Sequence, residues 1–310
     1  MRRPAPLLLP ALAAVLLLSA CGTQRAGTHG SGPGADTPSP GVQVSDPGVD
    51  GVRITSVTVP SASPTPRRSL SVTAERLPTG SATGISAAYE VTNRGSEAMT
   101  YTILVGFTND AGEAMGNQRA TVRAVGPGET VRGTVVLGAA TPGASSVTRA
   151  EVADVTKVPA DEAPAGAGDC PPSGIRVTAD QGDAAMGLRV VGLHLENCGP
   201  RDYAVHGYPL LELLDGEHEP VDGVEILRGS GEITTGAGPD VPPEPVTLKP
   251  GETARASLVW RNTTEFGTPV NVPYVRVRAK AGADPVMVTP GLDLGTTGRL
   301  GVRPWERAAR

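Results

Sequence analysis

The chain has 310 residues with 27 Lys+Arg against 32 Asp+Glu, only 9 aromatic side chains, 40 Gly and 30 Pro. The acidic balance speaks against nucleic acid as the main partner, which would want a basic surface. The length allows two domains of ordinary size, and three Cys leave room for at most one disulfide if one of them is used elsewhere.

The first element is a leader. Arg2 and Arg3 open it, residues 7–18 form an apolar run interrupted by Pro10, and Leu18-Ser19-Ala20-Cys21 closes it. The run is too short to span a bilayer and has the layout of a secretory signal. A Cys directly after Leu-Ser-Ala resembles the bacterial lipoprotein pattern, which implies cleavage before Cys21 and lipidation of Cys21. At about 0.8 kcal/mol per buried CH₂, two acyl chains on that sulfur would hold the protein on the outer face of the plasma membrane. The leader is thus 1–20, and removing Arg2 and Arg3 with it leaves 25 basic against 32 acidic residues, a net charge of −7.

Residues 21–50 read as the lipidated Cys followed by a disordered tether rich in Gly, Pro, Ser and Thr, unable to bury enough apolar surface to fold. As a flexible coil it spans about 30 Å on average, and stretched it reaches about 100 Å.

Residues 51–158 and 170–310 read as two antiparallel β-sandwich domains of Ig-like design, joined by a Pro/Ala/Gly linker at 159–169. In the first, Ile85, Ala87, Tyr89 and Val91 alternate with smaller or polar residues, and Asn93-Arg94-Gly95 supplies a turn. In the second, Val191, Leu193 and Leu195 alternate in the same way before Asn197-Cys198-Gly199. A local unit occurs twice: Pro127-Gly128-Glu129-Thr130 and Pro250-Gly251-Glu252-Thr253 each lead into an alternating strand. No stretch shows sustained helical periodicity, so the fold class is all-β. With Cys21 assigned to lipid, Cys170 and Cys198 remain as an even pair in an oxidising compartment and are expected to form a disulfide. A redox or metal role would want C-x-x-C or a nearby His/Cys cluster, and neither is present.

From Cys170 onward the chain resembles a family of secreted and lipid-anchored actinobacterial domains, domain of unknown function 4232. The resemblance is carried by Cys170-Pro171, Leu195-Glu196-Asn197-Cys198-Gly199, His206-Gly207-Tyr208-Pro209, Leu248–Ala254, Trp260-Arg261-Asn262-Thr263, Val272-Pro273-Tyr274 and Leu292–Trp305. It implies a β-sandwich, and neither an enzyme nor a ligand.

None of the common hydrolase, zinc-protease or phosphate-loop signatures occurs. His194 falls on the polar face of its strand beside Glu196 and reads as solvated. Asp215-Gly216-Glu217-His218-Glu219 gathers hard ligands, but an acidic hairpin turn accounts for it better than a cation loop. Gly229–Pro239 reads as a long flexible loop of the kind that carries binding function. Arg276, Arg278 and Lys280 share a strand face that would suit anionic polymer or lipid headgroups, but a solvated strand face accounts for them better. Tyr203, His206, Tyr208 and Trp260 are the candidate ligand contacts, although Trp260, sharing a face with Leu258 and Ala256, fits the core better and Tyr208, beside Pro209, fits a packed corner better. The resulting expectation is a monomeric, lipid-anchored binding module of the cell envelope. It needs no metal or cofactor and is not an enzyme. Its partners are the membrane, through the lipid on Cys21, and a wall polymer or another envelope protein. The competing expectation is an extracytoplasmic hydrolase using carboxylates such as Glu196 and Asp215.

Overall fold

The computed structural model describes residues 42–44, 46–59, 84–138 and 146–308. The leader, Cys21 and most of the tether therefore lie outside the described residues. Among the described residues every regular element is a β-strand, so the all-β expectation holds, and no helix there is long and apolar enough to cross a membrane.

The first sandwich comprises β1 (Val42–Gln43), β2 (Val52–Thr58), β3 (Ile85–Thr92), β4 (Met99–Thr108), β5 (Ala114–Val125), β6 (Thr130–Gly138) and β7 (Arg149–Pro159). Its sheets run β1-β2-β3-β6 and β5-β4-β7. The alternation in β3 sends Ile85, Ala87, Tyr89 and Val91 inward, against Tyr101, Ile103, Val105 and Phe107 of β4. Tyr89 lies over its cross-strand partner Gly133, where a Cβ would come within 2.3 Å of the phenol oxygen. Glu90 is buried although its place in the alternation is polar. Arg53 and Arg132, its partners on the two flanking strands, clamp its carboxylate from both sides.

The second sandwich comprises β8 (Ile175–Ala179), β9 (Asp183–Ala185), β10 (Leu188–Asn197), β11 (Tyr203–Val205), β12 (Leu210–Leu214), β13 (Glu225–Arg228), β14 (Val246–Leu248), β15 (Thr253–Arg261), β16 (Asn271–Val272), β17 (Tyr274–Arg278), β18 (Val286–Val288), β19 (Leu292–Asp293), β20 (Arg299–Val302) and β21 (Glu306–Arg307). A seven-stranded sheet built on β13-β20-β15-β10-β8 is set against β12-β17-β18. Val191, Leu193 and Leu195 of β10 point into a core closed by Leu258, Trp260, Leu300 and Trp305. Only β13 and β20 pair in parallel. Cys170 and Cys198 form the expected disulfide, with Cα atoms 5.7 Å apart, tying the approach to β8 to the turn after β10. In the chain-entropy picture a loop of this length contributes roughly 3–4 kcal/mol.

The sequence repeat is a repeated hydrogen-bond unit. Asn93 follows β3 and Asn197 ends β10, and both side chains are almost fully buried. Asn93 Nδ2 donates to the carbonyls of Glu97 and Val125 (2.7 and 2.8 Å). Asn197 Nδ2 donates to those of Arg201 and Leu248 (2.8 Å each). Each Oδ1 accepts the N–H two residues on, from Gly95 or Gly199. Each backbone meets the Pro-Gly-Glu turn at two points: Asn93 with Gly128 and Glu129, Asn197 with Gly251 and Glu252. The turn glutamates close their own turns on the N–H of Gly126 and Lys249.

Two segments are more ordered than the sequence suggests. The end of the 21–50 segment joins the first sandwich: Val42 and Gln43 pair with β2, and Asp46 accepts the N–H of Ile54 at 2.9 Å. The 159–169 segment is not a free linker, because Ala160 donates to Ala98 and Glu162 is bonded into the second sandwich.

Asn93→Ala and Asn197→Ala each leave buried carbonyls without a donor, so each should cost about 1–3 kcal/mol in urea unfolding. Loss of either latch without a change in stability would show that the unit is decorative. The two guanidinium hydrogen bonds hold the Glu90 carboxyl below the usual glutamate range in the folded state. The unfolded chain therefore binds that proton more readily. The contribution is present above the unfolded glutamate pKa and is lost as the pH falls through the lower folded one. The acid limb of the Tm-against-pH curve should accordingly flatten in Glu90→Gln.

Candidate functional site

A cleft of about 1000 Å³ lies between the two sandwiches. Its walls come from the turn before β2 (Asp50, Gly51), the turn after β3 (Asn93–Glu97), the end of β7 (Asp154–Lys157), the hairpin after β12 (Gly216–His218) and the start of β17 (Pro273, Tyr274).

Lys157 pins these parts together. Its backbone N–H donates to Tyr274 Oη at 3.1 Å, and its carbonyl accepts from His218 Nε2 at 2.9 Å. Its ammonium donates to the Asp50 carboxylate at 2.9 Å, and that bond raises the lysine pKa. The carbonyl can only accept, so the Nε2 of His218 carries the proton. Asp50 and His218 both sit at positive φ, 50° and 65°, a conformation that surrounding contacts must hold. The His218 ring meets Tyr274 edge-on, with centroids 4.5 Å apart. Tyr274 is 4% exposed, and burial pushes its phenol pKa up, as it does for Tyr101.

Beneath the pin, Val158, Leu214, Tyr274 and Met287 form a dry plug with Ala163 against it. Glu162 crosses over the plug. It accepts from Arg276 Nε at 2.7 Å, and its carbonyl accepts the Met287 N–H at 2.8 Å. Arg276 also reaches Glu212 at 2.8 Å, and its two carboxylate partners raise its pKa further. The cleft therefore has a packed base. Its rim carries Arg94, Glu97, Asp154 and Glu217.

The acidic stretch Asp215–Glu219 shapes this cleft. Asp215 Oδ1 accepts the N–H of Glu217 and Glu219, both at 2.9 Å, so its carboxylate is used to close the turn. Among the described residues no three His, Cys, Asp or Glu side chains are placed to hold a metal ion.

While Pro273 and Tyr274 line the cleft, part of the stretch that carries the family resemblance converges at the turn after β10. The disulfide, the Asn197 latch and the Pro250-Gly251-Glu252 turn are bonded to one another there through Gly174, Cys198 and Gly251. Residues 170–306 match the family Domain of unknown function (DUF4232). No curated protein and no solved structure matches the chain.

Within the DUF4232 domain the candidate ligand contacts are scattered. Trp260 is 2% exposed and its Nε1–H donates to Asp293 at 2.8 Å, so core packing removes it from any stacking role. Tyr203 is half-buried beneath the Lys280 ammonium, 4.1 Å from its ring centroid, and its buried hydroxyl has no partner. Tyr208 is half-buried with the Arg228 guanidinium 5.7 Å above it, and His206 is exposed. None of the four lines the cleft.

Other expectations of the domain change in the same way. His194 pairs with Asp180 at 3.2 Å, and Glu196 with Arg176. The Gly229–Pro239 loop is tied down: Asp240 accepts the N–H of Ser230 and Gly231, while Arg303 donates to Ala237 and Pro239. The strand face Arg276, Arg278 and Lys280 is used internally, since Arg278 donates to Ala283 and Lys280 to Ala204. Lys157, Asp50 and Tyr101 were not flagged by sequence pattern, whereas Tyr274 lies in the Val272-Pro273-Tyr274 stretch that carries the resemblance. The one available signal was that Lys157 is one of only three lysines.

Tyr274→Phe deletes the hydroxyl that accepts the Lys157 N–H. It should cost about 1 kcal/mol and speed hydrogen exchange at the Lys157 amide, with core amides of both sandwiches unaffected. Unchanged exchange at Lys157 would show that the bond does not hold the cleft.

Proposed function

We propose that the chain is a lipid-anchored binding module of the cell envelope, held by Cys21 on the outer face of the plasma membrane. It engages an extended partner, a wall polymer or a segment of another envelope protein, through the cleft between its sandwiches. The observation that carries this reading is the cleft itself: it is wide and open, has a packed base, and has a rim of charged side chains that lack internal partners. Arg94, Glu97, Asp154 and Glu217 make no ion pair among the described residues. A long partner can lie across such a surface, whereas a small molecule would be buried too little to bind well. The lipid anchor rests on the Leu18–Cys21 motif, and the tether supplies the reach.

The test is co-sedimentation of the purified full chain, in detergent, with isolated walls. Binding is expected, with a loss of about tenfold in affinity, equivalent to about 1.4 kcal/mol, in a Glu97→Arg/Glu217→Arg variant. In cells, Cys21→Ser should move the chain out of the membrane fraction. Absence of wall binding, or binding indifferent to the rim variant, would overturn the cleft reading.

A further inference from the structure

A second concavity lies away from the cleft, on the outer face of the large sheet in the DUF4232 domain. Its floor is the cross-strand pair Gly192 and Ser257, with Val190 beside them. The turn Asp180–Asp183 forms one wall, and Arg303–Pro304 with Ala237 forms the other. The two halves, of about 420 and 250 Å³, share Val190, Arg255, Ala256 and Ser257, so they are one groove.

The groove is built, not incidental. A Cβ on Gly192 would stand 2.3 Å from Asp180 Oδ2, so only a glycine lets that carboxylate lean over the strand. Asp180 Oδ1 accepts the N–H of Gly182 and Gly192, both at 2.9 Å, and Oδ2 faces His194 Nε2 at 3.2 Å. Asp180 is thus fully engaged, and it turns the other ring nitrogen of His194 away from itself. Burial works against the Asp180 charge, but these hydrogen bonds outweigh it and keep the carboxyl below its usual pKa.

Arg255 stands directly across from His194 in the register, two residues from Ser257 on the same face. The other guanidinium groups of this sheet are spoken for. Arg176 pairs with Glu196, Arg189 with Asp293, Arg299 with Glu225 and Glu232, and Arg307 with Glu252. Arg261 and Arg303 donate to backbone carbonyls. The Arg255 side chain makes no ion pair and no hydrogen bond among the described residues, although Glu306, itself 3.7 Å from Arg303, stands opposite it on β21. Arg255 is an unspent forked donor at the rim of a groove whose floor is rigid β-strand.

We propose that Arg255, with the Ser257 hydroxyl, forms a subsite for a monoanionic oxyanion group, a carboxylate or a phosphodiester, beside the His194–Asp180 pair. The guanidinium fork matches two oxygens of either group, and the serine hydroxyl adds a third donor. Asp183 and Glu306 on the walls disfavour a dianion. Strand-borne donors of this kind hold their geometry better than loop residues do. The site goes beyond the cleft reading and stands or falls separately from it.

The test uses the full chain in detergent, labelled with ¹⁵N at arginine Nε, and titrated separately with sodium acetate and with dimethyl phosphate. The Arg255 signal is assigned by its loss in Arg255→Gln. It should shift saturably, with half-saturation in the millimolar range, for at least one of the two probes, and the responding probe identifies the oxyanion. Sodium chloride at matched ionic strength should give no saturable shift, and the Arg119 signal should not respond. Failure of both probes to saturate, or an equal response to chloride, would overturn the subsite. A chain that binds walls in sedimentation but fails this titration keeps the cleft and loses the groove.

Discussion

The arrangement of the two sandwiches depends on how one residue is used. Lys157 lies near the end of the last strand of the first sandwich, and its N–H, its carbonyl and its ammonium are each taken by a different segment. Two of those segments belong to the second sandwich, and two of the partner residues are held at positive φ. Such backbone persists only where the surroundings over-determine it. Sandwiches joined by a short connection would by default move against each other. Here the connection itself is bonded down through Glu162 and sealed by an apolar plug, so the cleft inherits the rigidity of the strands around it.

The two sandwiches are also built alike at a level that side-chain alternation does not display. The Pro-Gly-Glu-Thr repeat was visible in the chain, and so was an Asn at the end of a preceding strand. That each Asn amide would fold inward and satisfy a distant strand end was not visible, because an Asn-x-Gly sequence is read by default as an exposed turn. The period-two patterns in β3 and β10 gave the core faces directly, and the Cys pair gave the disulfide. Glu90 went unseen for the opposite reason. Its burial depends on two arginines from neighbouring strands, a tertiary fact with no local signature. The same holds for Val42–Gln43 and for 160–166, whose composition reads as linker and whose order comes from pairing with what lies beside them.

The site was less legible than the fold, and for one recurring cause. A sequence shows that a side chain can donate or accept, but not whether the fold already supplies its partner. The basic face Arg276–Lys280 and the loop Gly229–Pro239 offered recognition chemistry on sequence alone, and both are used to hold the molecule together, while the acidic stretch Asp215–Glu219 is the hairpin turn its sequence suggested. That internal accounting leaves the rim of the cleft and Arg255 in the sheet groove without an ion pair among the described residues. Those groups carry the binding proposals.

The central structural claim is that the two sandwiches form one body with a fixed cleft between them. Residual dipolar couplings from the full chain in weakly aligning detergent medium test it most directly. One alignment tensor fitting the backbone N–H vectors of both sandwiches is the predicted result. Two tensors of clearly different magnitude would mean that the sandwiches reorient independently, and the fixed cleft would not exist.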